Sequence, residues 1–197
     1  RRWDWQTLQA NNGGSLLNTG PHPLDQILHL VGAKEMPEIR CFMDRVNTFG
    51  DAEDYVKLMM KWKDGPVVDL EISSCDAYPP AMYRIQTQYG GITGNTKQLK
   101  WKYYDPEKAP KQELIRTPLK GPDGLPVYGR ETLPWVEGEW SFPEGGNTLE
   151  EACRAYYEQL HEAVVAGAEP EVTPHQVRLQ IAIIEECHRQ NPLPRLY

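Results

Sequence analysis

Three residues able to move or orient a proton stand close together near the start of the chain. Asn18, His22 and Asp25 follow one another at intervals of four and three, which is one face of a helix wherever the segment is helical. An imidazole near a helix N-terminus is kept neutral by the helix dipole and can accept a proton. A carboxylate at Asp25 suits its other ring nitrogen, as carboxylates orient histidines in many active sites. Gly13 and Gly14 lie just ahead and permit unusual backbone angles or the close approach of a ligand. Arg1, Asp4 and Trp5 are near enough in sequence to reach the same place, and a Trp platform with charged neighbours suits a sugar, although packing is the commoner use of Trp. The bland alternative is that His22 packs between Pro21 and Pro23 while Asp25 caps or solvates the first turn. Single His/Asp pairs are common, so on spacing alone the bland alternative outweighs the catalytic one.

The scaffold around these residues is read from periodicity. Leu24, Ile27, Leu28 and Val31 recur at helical spacing, Gly32 stands where a C-cap glycine belongs, and Pro21 suits a first turn. This predicts a helix over 21–31, preceded by a short turn at 15–18. Strand-length runs come next at 39–48, 55–62, 67–74, 83–89 and 98–104, separated by Asp-Gly, Pro-Pro and Gly-Gly turn signals. Val56, Leu58, Met60 and Trp62 alternate strictly, as do Val68, Leu70 and Ile72, which favours an antiparallel sheet with one wetter face. Residues 105–146 hold many glycines and prolines together with Trp135 and Trp140, so an ordered excursion is expected rather than long regular elements. Two helices close the chain, the first with Thr148 and Glu151 as a candidate capping box, the second with Thr173 and Gln176. The order helix, strands, loop, helices gives an α+β fold: an open, mostly antiparallel sheet with helices packed on one face, all of 1–197 forming a single domain.

Composition narrows the function classes. The chain has 197 residues, a formal net charge of −7 and 25% charged residues. An acidic chain without a basic stripe is a poor phosphate-backbone binder, so no nucleic-acid partner is expected. No apolar run approaches the ~20 residues of a membrane helix, so no membrane partner is expected either. Cys41, Cys75, Cys153 and Cys187 form no CxxC pair, which argues against a metal site and fits small buried thiols in a reducing, cytoplasmic setting. His29 could line the same groove as His22, but exposure is the more ordinary outcome. His161, His175 and His188 lack metal-ligand spacing. No G-x-G-x-x-G occurs, and Gly90–Gly94 lies among strands, so no dinucleotide-binding turn is expected in this chain.

The segment Gly13-Gly14-x-x-x-Asn18-x-Gly20-x-His22-x-x-Asp25 resembles the hallmark of the C-terminal domain of the glucose–fructose oxidoreductase/inositol dehydrogenase (Gfo/Idh/MocA) family. Tyr156 to Gly167, then Val172-Thr173-Pro174 and the closing helix, resemble that family's last two helices. The resemblance implies a glyceraldehyde-3-phosphate dehydrogenase-like C-terminal domain that binds substrate and joins subunits. An N-terminal Rossmann domain holding NAD or NADP would be the partner missing from this chain, and the fragment alone would carry no cofactor and no activity. It further implies His22 as the proton-transfer residue, with Asn18, Asp25, Asp4 and Trp5 around a sugar, polyol or related hydroxy compound. A homo-oligomer through the open sheet face is implied too, with Met59, Met60, Trp62 and the Trp-bearing loop available to a partner. Asn18 departs from the family's aspartate: an amide orients a hydroxyl but cannot take its proton. The other reading is therefore a non-catalytic sugar-binding or assembly module.

Overall fold

The computed structural model describes residues 2–197; Arg1, grouped above with Asp4 and Trp5, lies outside them. The chain divides into two compact units, residues 1–77 with 149–197, and residues 78–148.

The first unit carries the predicted N-terminal site. Its helices are α1 (Ser15–Asn18), α2 (Pro21–Val31), α3 (from Thr148 to His161) and α4 (Pro174–Gln190), and its strands are β1 (Glu38–Asp44), β2 (Tyr55–Lys61) and β3 (Val67–Ser73). The strands form one antiparallel sheet in the order β1-β2-β3, with Cys41 opposite Leu58 and Leu58 opposite Leu70. Period-two alternation sends Ile39, Cys41, Met43, Val56, Leu58, Met60, Leu70 and Ile72 inward, where Leu16, Leu24 and Leu28 meet Leu179, Ile183, Ile184 and Cys187. Helices thus cover one face, as the α+β reading expects.

Alternation also corrects one expectation. Met59 faces outward, but Met60 and Trp62 are buried in the helix-covered face, so neither is available to a partner. The Trp62 indole N–H donates to the Glu35 carbonyl at 2.9 Å. The outer face carries Phe42, Tyr55, Met59 and Val67 beside Lys57, whose Nζ lies 2.8 Å from Asp69 and 3.1 Å from Glu71.

Helix boundaries reflect local chemistry. Gly32 ends α2 in the left-handed region at φ 61°. Thr173 and Gln176 form a complete capping box, with Pro174 at the first helical position. By contrast, Thr148 is the first residue of α3 rather than its cap, and α3 holds no buried residue. Past His161 the helix widens into a π turn over Glu162–Ala166.

The outer edge of β1 is finished by side chains. Gln190 accepts from Cys41 N at 2.9 Å and donates to Ile39 O at 3.0 Å; Asn191 accepts from Met43 N at 3.1 Å and donates to Cys41 O at 3.1 Å. Two amides from the end of α4 occupy the positions where a neighbouring strand would bond.

The second unit is a four-stranded antiparallel sheet in the order β4 (Tyr83–Thr87), β5 (Gly90–Gly94), β6 (Gln98–Tyr103) and β7 (Val136–Ser141). The strands therefore fall into two sheets. Two of the four lie where turns or loop were expected: β5 in the glycine run, and β7 within 105–146. Gly138 of β7 stands opposite Trp101, and a Cβ there would come within 2.5 Å of the indole. An aromatic ring fills the space a side chain would take, which is how a glycine is accommodated in a strand.

Candidate functional site

The Gly13–Gly20 segment owes its shape to a residue 37 positions away along the chain. Glu53 is buried, its Oε1 accepts from Leu16 N at 2.9 Å, and its backbone carbonyl accepts from Ser15 N at 2.9 Å. Gly14 adopts φ 117°, and a Cβ there would meet the Glu53 carboxylate at 2.3 Å. Only glycine satisfies both demands. The turn leads through α1 to Gly20, whose absent Cβ leaves room for the Leu16 carbonyl. From there α2 starts at Pro21, whose carbonyl is held by the Gln180 amide of α4.

Around this turn lies a polar cavity of about 140 Å³, whose lining includes Gln6, Ser15, Asn18, Thr48, Glu53 and Ser74. Asn18 is half-buried; its Nδ2 donates to the Gln6 carbonyl at 3.2 Å. That bond fixes the amide so that its carbonyl oxygen remains as an acceptor. Burial pushes the Glu53 carboxyl above the usual carboxylate range against the Leu16 N–H, which favours the charged form. Asp54 beside it is fully engaged: Val46 N donates to Oδ1 at 2.7 Å, Asn47 N to Oδ2 at 2.9 Å, and the Cys75 thiol to Oδ2 at 3.5 Å. Asp51, also buried, accepts from Gln9 N at 2.8 Å and Leu196 N at 2.9 Å. Burial works to raise its pKa, but the backbone N–H groups of Gln9, Leu196 and Tyr197 prevail and hold the carboxyl below its ordinary range.

The other anticipated residues are placed differently. His22 is exposed at the second position of α2, and its ring makes no hydrogen bond among the described residues; it does not line the cavity. Asp25 lies 3.8 Å from His29, one turn further on, rather than against His22. Asp4 caps a 3₁₀ turn over Trp5–Thr7, its Oδ1 accepting from Gln6 N at 2.9 Å. Trp5 sits on that turn, exposed. The structure thus gathers Asn18 with the glycines and leaves His22, Asp25, Asp4 and Trp5 around the site's outside. His175 meets the Lys34 carbonyl and His188 the Ile184 carbonyl, and no cluster of metal-ligating side chains occurs among the described residues. Glu53, Gln6 and Thr48 escaped the sequence reading. Glu53 stands in the acid-rich Gly50-Asp51-Ala52-Glu53-Asp54 turn before β2, and Gln6 and Thr48 carry no comparable sequence signal.

A family model described as the GFO/IDH/MocA C-terminal domain matches residues 1–93, the stretch holding the glycine–histidine segment, the cavity and the first sheet. The resemblance read from the motif is borne out over residues 1–93, which match the GFO/IDH/MocA C-terminal domain model. The fold is similar to an NAD-binding protein from Listeria innocua, with TM-score 0.65 and 16% identity over 96% of this chain and 52% of that one. It is also similar to a UDP-N-acetylglucosamine 3-dehydrogenase from Acidithiobacillus ferrooxidans, with TM-score 0.60 and 17% identity over 89% of this chain and 48% of that one. An oxidoreductase from Bacillus cereus aligns with TM-score 0.54 and 17% identity over 89% of this chain and 49% of that one. The chain spans about half the length of these solved structures. No curated protein matches it.

Proposed function

We propose that this chain is the substrate-binding and oligomerisation domain of an NAD(P)-dependent oxidoreductase acting on a sugar, polyol or related hydroxy compound. One observation carries the reading: Gly14 and Asn18 of the motif wall a cavity whose other lining groups are hydroxyls, amides, the Arg2 guanidinium and the buried carboxyls of Glu53 and Asp54. Such a set recognises hydroxyl groups, each of which needs a donor and an acceptor. The Asn18 carbonyl oxygen orients a substrate hydroxyl. His22, exposed one turn beyond the cavity, accepts or returns the proton once substrate extends out of it. The dehydrogenase and NAD-binding descriptions of the structural neighbours support the same class.

The residues of this chain do not fit a dinucleotide. No G-x-G-x-x-G occurs: Gly90–Gly94 is strand β5, and the Gly13-Gly14 turn ahead of α1 lacks the spacing of a pyrophosphate cradle. In this reading a Rossmann domain holds NAD or NADP and supplies the redox chemistry. The outer face of the β1–β3 sheet supports subunit contact, because Phe42, Tyr55, Met59 and Val67 surround carboxylates of Asp69 and Glu71 that are paired with Lys57.

The second reading, a sugar-binding module without catalysis, draws on the His22 ring, which is exposed and makes no hydrogen bond among the described residues. Turnover separates the two. In the parent enzyme His22→Ala should lower turnover by about 10²–10⁴-fold, the usual worth of a positioned acid/base, with the melting temperature unchanged. Asn18→Ala should mainly raise KM. A normally folded His22→Ala enzyme with full turnover would remove His22 from the mechanism and favour the module.

A further inference from the structure

The inner face of β1 and the inner face of α4 each contribute one cysteine to the core, and the two meet. Cys41 is the middle inward residue of β1, between Ile39 and Met43, and Cys187 follows Leu179 and Ile183 on the buried stripe of α4. Both are free thiols and both belong to the same buried cluster. A single nitrogen, Asn191 Nδ2, donates to the carbonyl of Cys41 at 3.1 Å and to that of Cys187 at 2.9 Å, which holds the two backbones side by side. The two side chains enter the same buried cluster from facing elements, and the influence of each thiol on the other lowers the pKa of Cys41 and raises that of Cys187. Cys75 is spoken for by Asp54, and Cys153 is exposed on α3.

We propose that Cys41 and Cys187 form a redox-active pair that closes to an intrachain disulfide under a two-electron oxidant of the peroxide class. Cys41 gives up its proton and the thiolate attacks one peroxide oxygen; the O–O bond breaks, the departing hydroxide takes up that proton, and a sulfenic acid and one water result. The Cys187 sulfur then attacks the Cys41 sulfur, the S–O bond breaks, and a second water leaves with the Cys187 proton. Two thiols and one hydrogen peroxide thus give one disulfide and two waters. Because both sulfurs are buried, the rate is set by local opening of the last turns of α4, where Gln190 and Asn191 clasp the strand edge. Closure fixes α4 to β1, and with it the Gln180 amide that holds the Pro21 carbonyl next to His22.

The test treats the folded chain with hydrogen peroxide, blocks remaining thiols in denaturant, and maps unreduced peptides by mass spectrometry. The expected product is the Cys41 peptide joined to the Cys187 peptide, lighter by two hydrogens, with a raised melting temperature that dithiothreitol reverses. The same product should form in a Cys75→Ser/Cys153→Ser background, which excludes exchange through the other thiols. Recovery of both Cys41 and Cys187 as blocked free thiols, or of either as a sulfinic acid without the cross-link, would overturn the proposal.

Discussion

The two units are both built from antiparallel strands, yet one has an interior and the other has none. Residues 1–77 with 149–197 hold every buried side chain among the described residues; the sheet at 78–148 has no buried residue on either face. The difference lies in the helices that accompany the strands. In the first unit α2 and α4 bring leucines and isoleucines at helical spacing onto the alternating face of β1–β3. In the second, glycines and charged residues occupy much of the strands, and the aromatic residues are spent on edge contacts: Tyr104 stands 5.7 Å from Tyr89 and 5.3 Å from Trp135, both near perpendicular. Antiparallel pairing alone therefore makes a sheet, and an apolar layer across it makes a core.

Substitution should expose this contrast directly. Leu58→Ala, at the centre of the buried sheet face, should cost about 2–5 kcal/mol in denaturant unfolding, the usual worth of a fully buried leucine. Trp101→Ala, at the centre of the second sheet, should cost only about 0.2–1 kcal/mol, the worth of one cross-strand pair. Equal costs would break the comparison. If a second copy covers the uncovered sheet faces, light scattering at micromolar concentration should give a dimeric or larger mass, and the cost of Trp101→Ala should rise with protein concentration. A monomer would leave those faces solvated.

The smallest expected effect distinguishes two carboxylates within the first unit. The Glu53 pKa is raised on folding, so the native state holds its proton longer than the unfolded chain. Stability should fall as pH rises from the ordinary carboxylate range to the raised value and then level off, with a slope of at most about 1.4 kcal/mol per pH unit. Asp51 has the opposite sign: its pKa is depressed, so its contribution is full above the ordinary carboxylate range and is lost as pH falls through the depressed value. Glu53→Gln should remove the first slope and Asp51→Asn the second, as read from melting temperatures across the acid and neutral range.

What the sequence made legible was local. The stretch 21–31 reads as a helix because proline opens it and Gly32 closes it, and the Thr173–Gln176 box is visible from four residues. The alternation of Val56 to Met60 assigned a strand but not which residues it buries, since Met60 and Trp62 were expected at the partner face and lie in the core. What escaped depends on distant partners. β5 is three-fifths glycine, and Gly90 and Gly94 are accommodated only because β6 runs so close that a Cβ would strike its backbone at 2.2 and 2.0 Å. β7 is short, charged and separated from β6 by 32 residues, too far for any local rule to pair them. The site was half legible for the same reason: its glycines announced themselves, but the Glu53 carboxyl beneath Gly14 did not.

The paired amides at the end of α4 also impose a direction on assembly. With Gln190 and Asn191 seated along Ile39, Cys41 and Met43, no incoming strand can add beside β1 without first evicting them. Ribbon-like growth of this sheet is therefore one-sided: its remaining margin is β3, where Val67–Ser73 runs with only one neighbour. Copies that join by lengthening the sheet must meet β3 to β3, which closes after two chains, whereas a free margin on both sides would let the stack propagate without end.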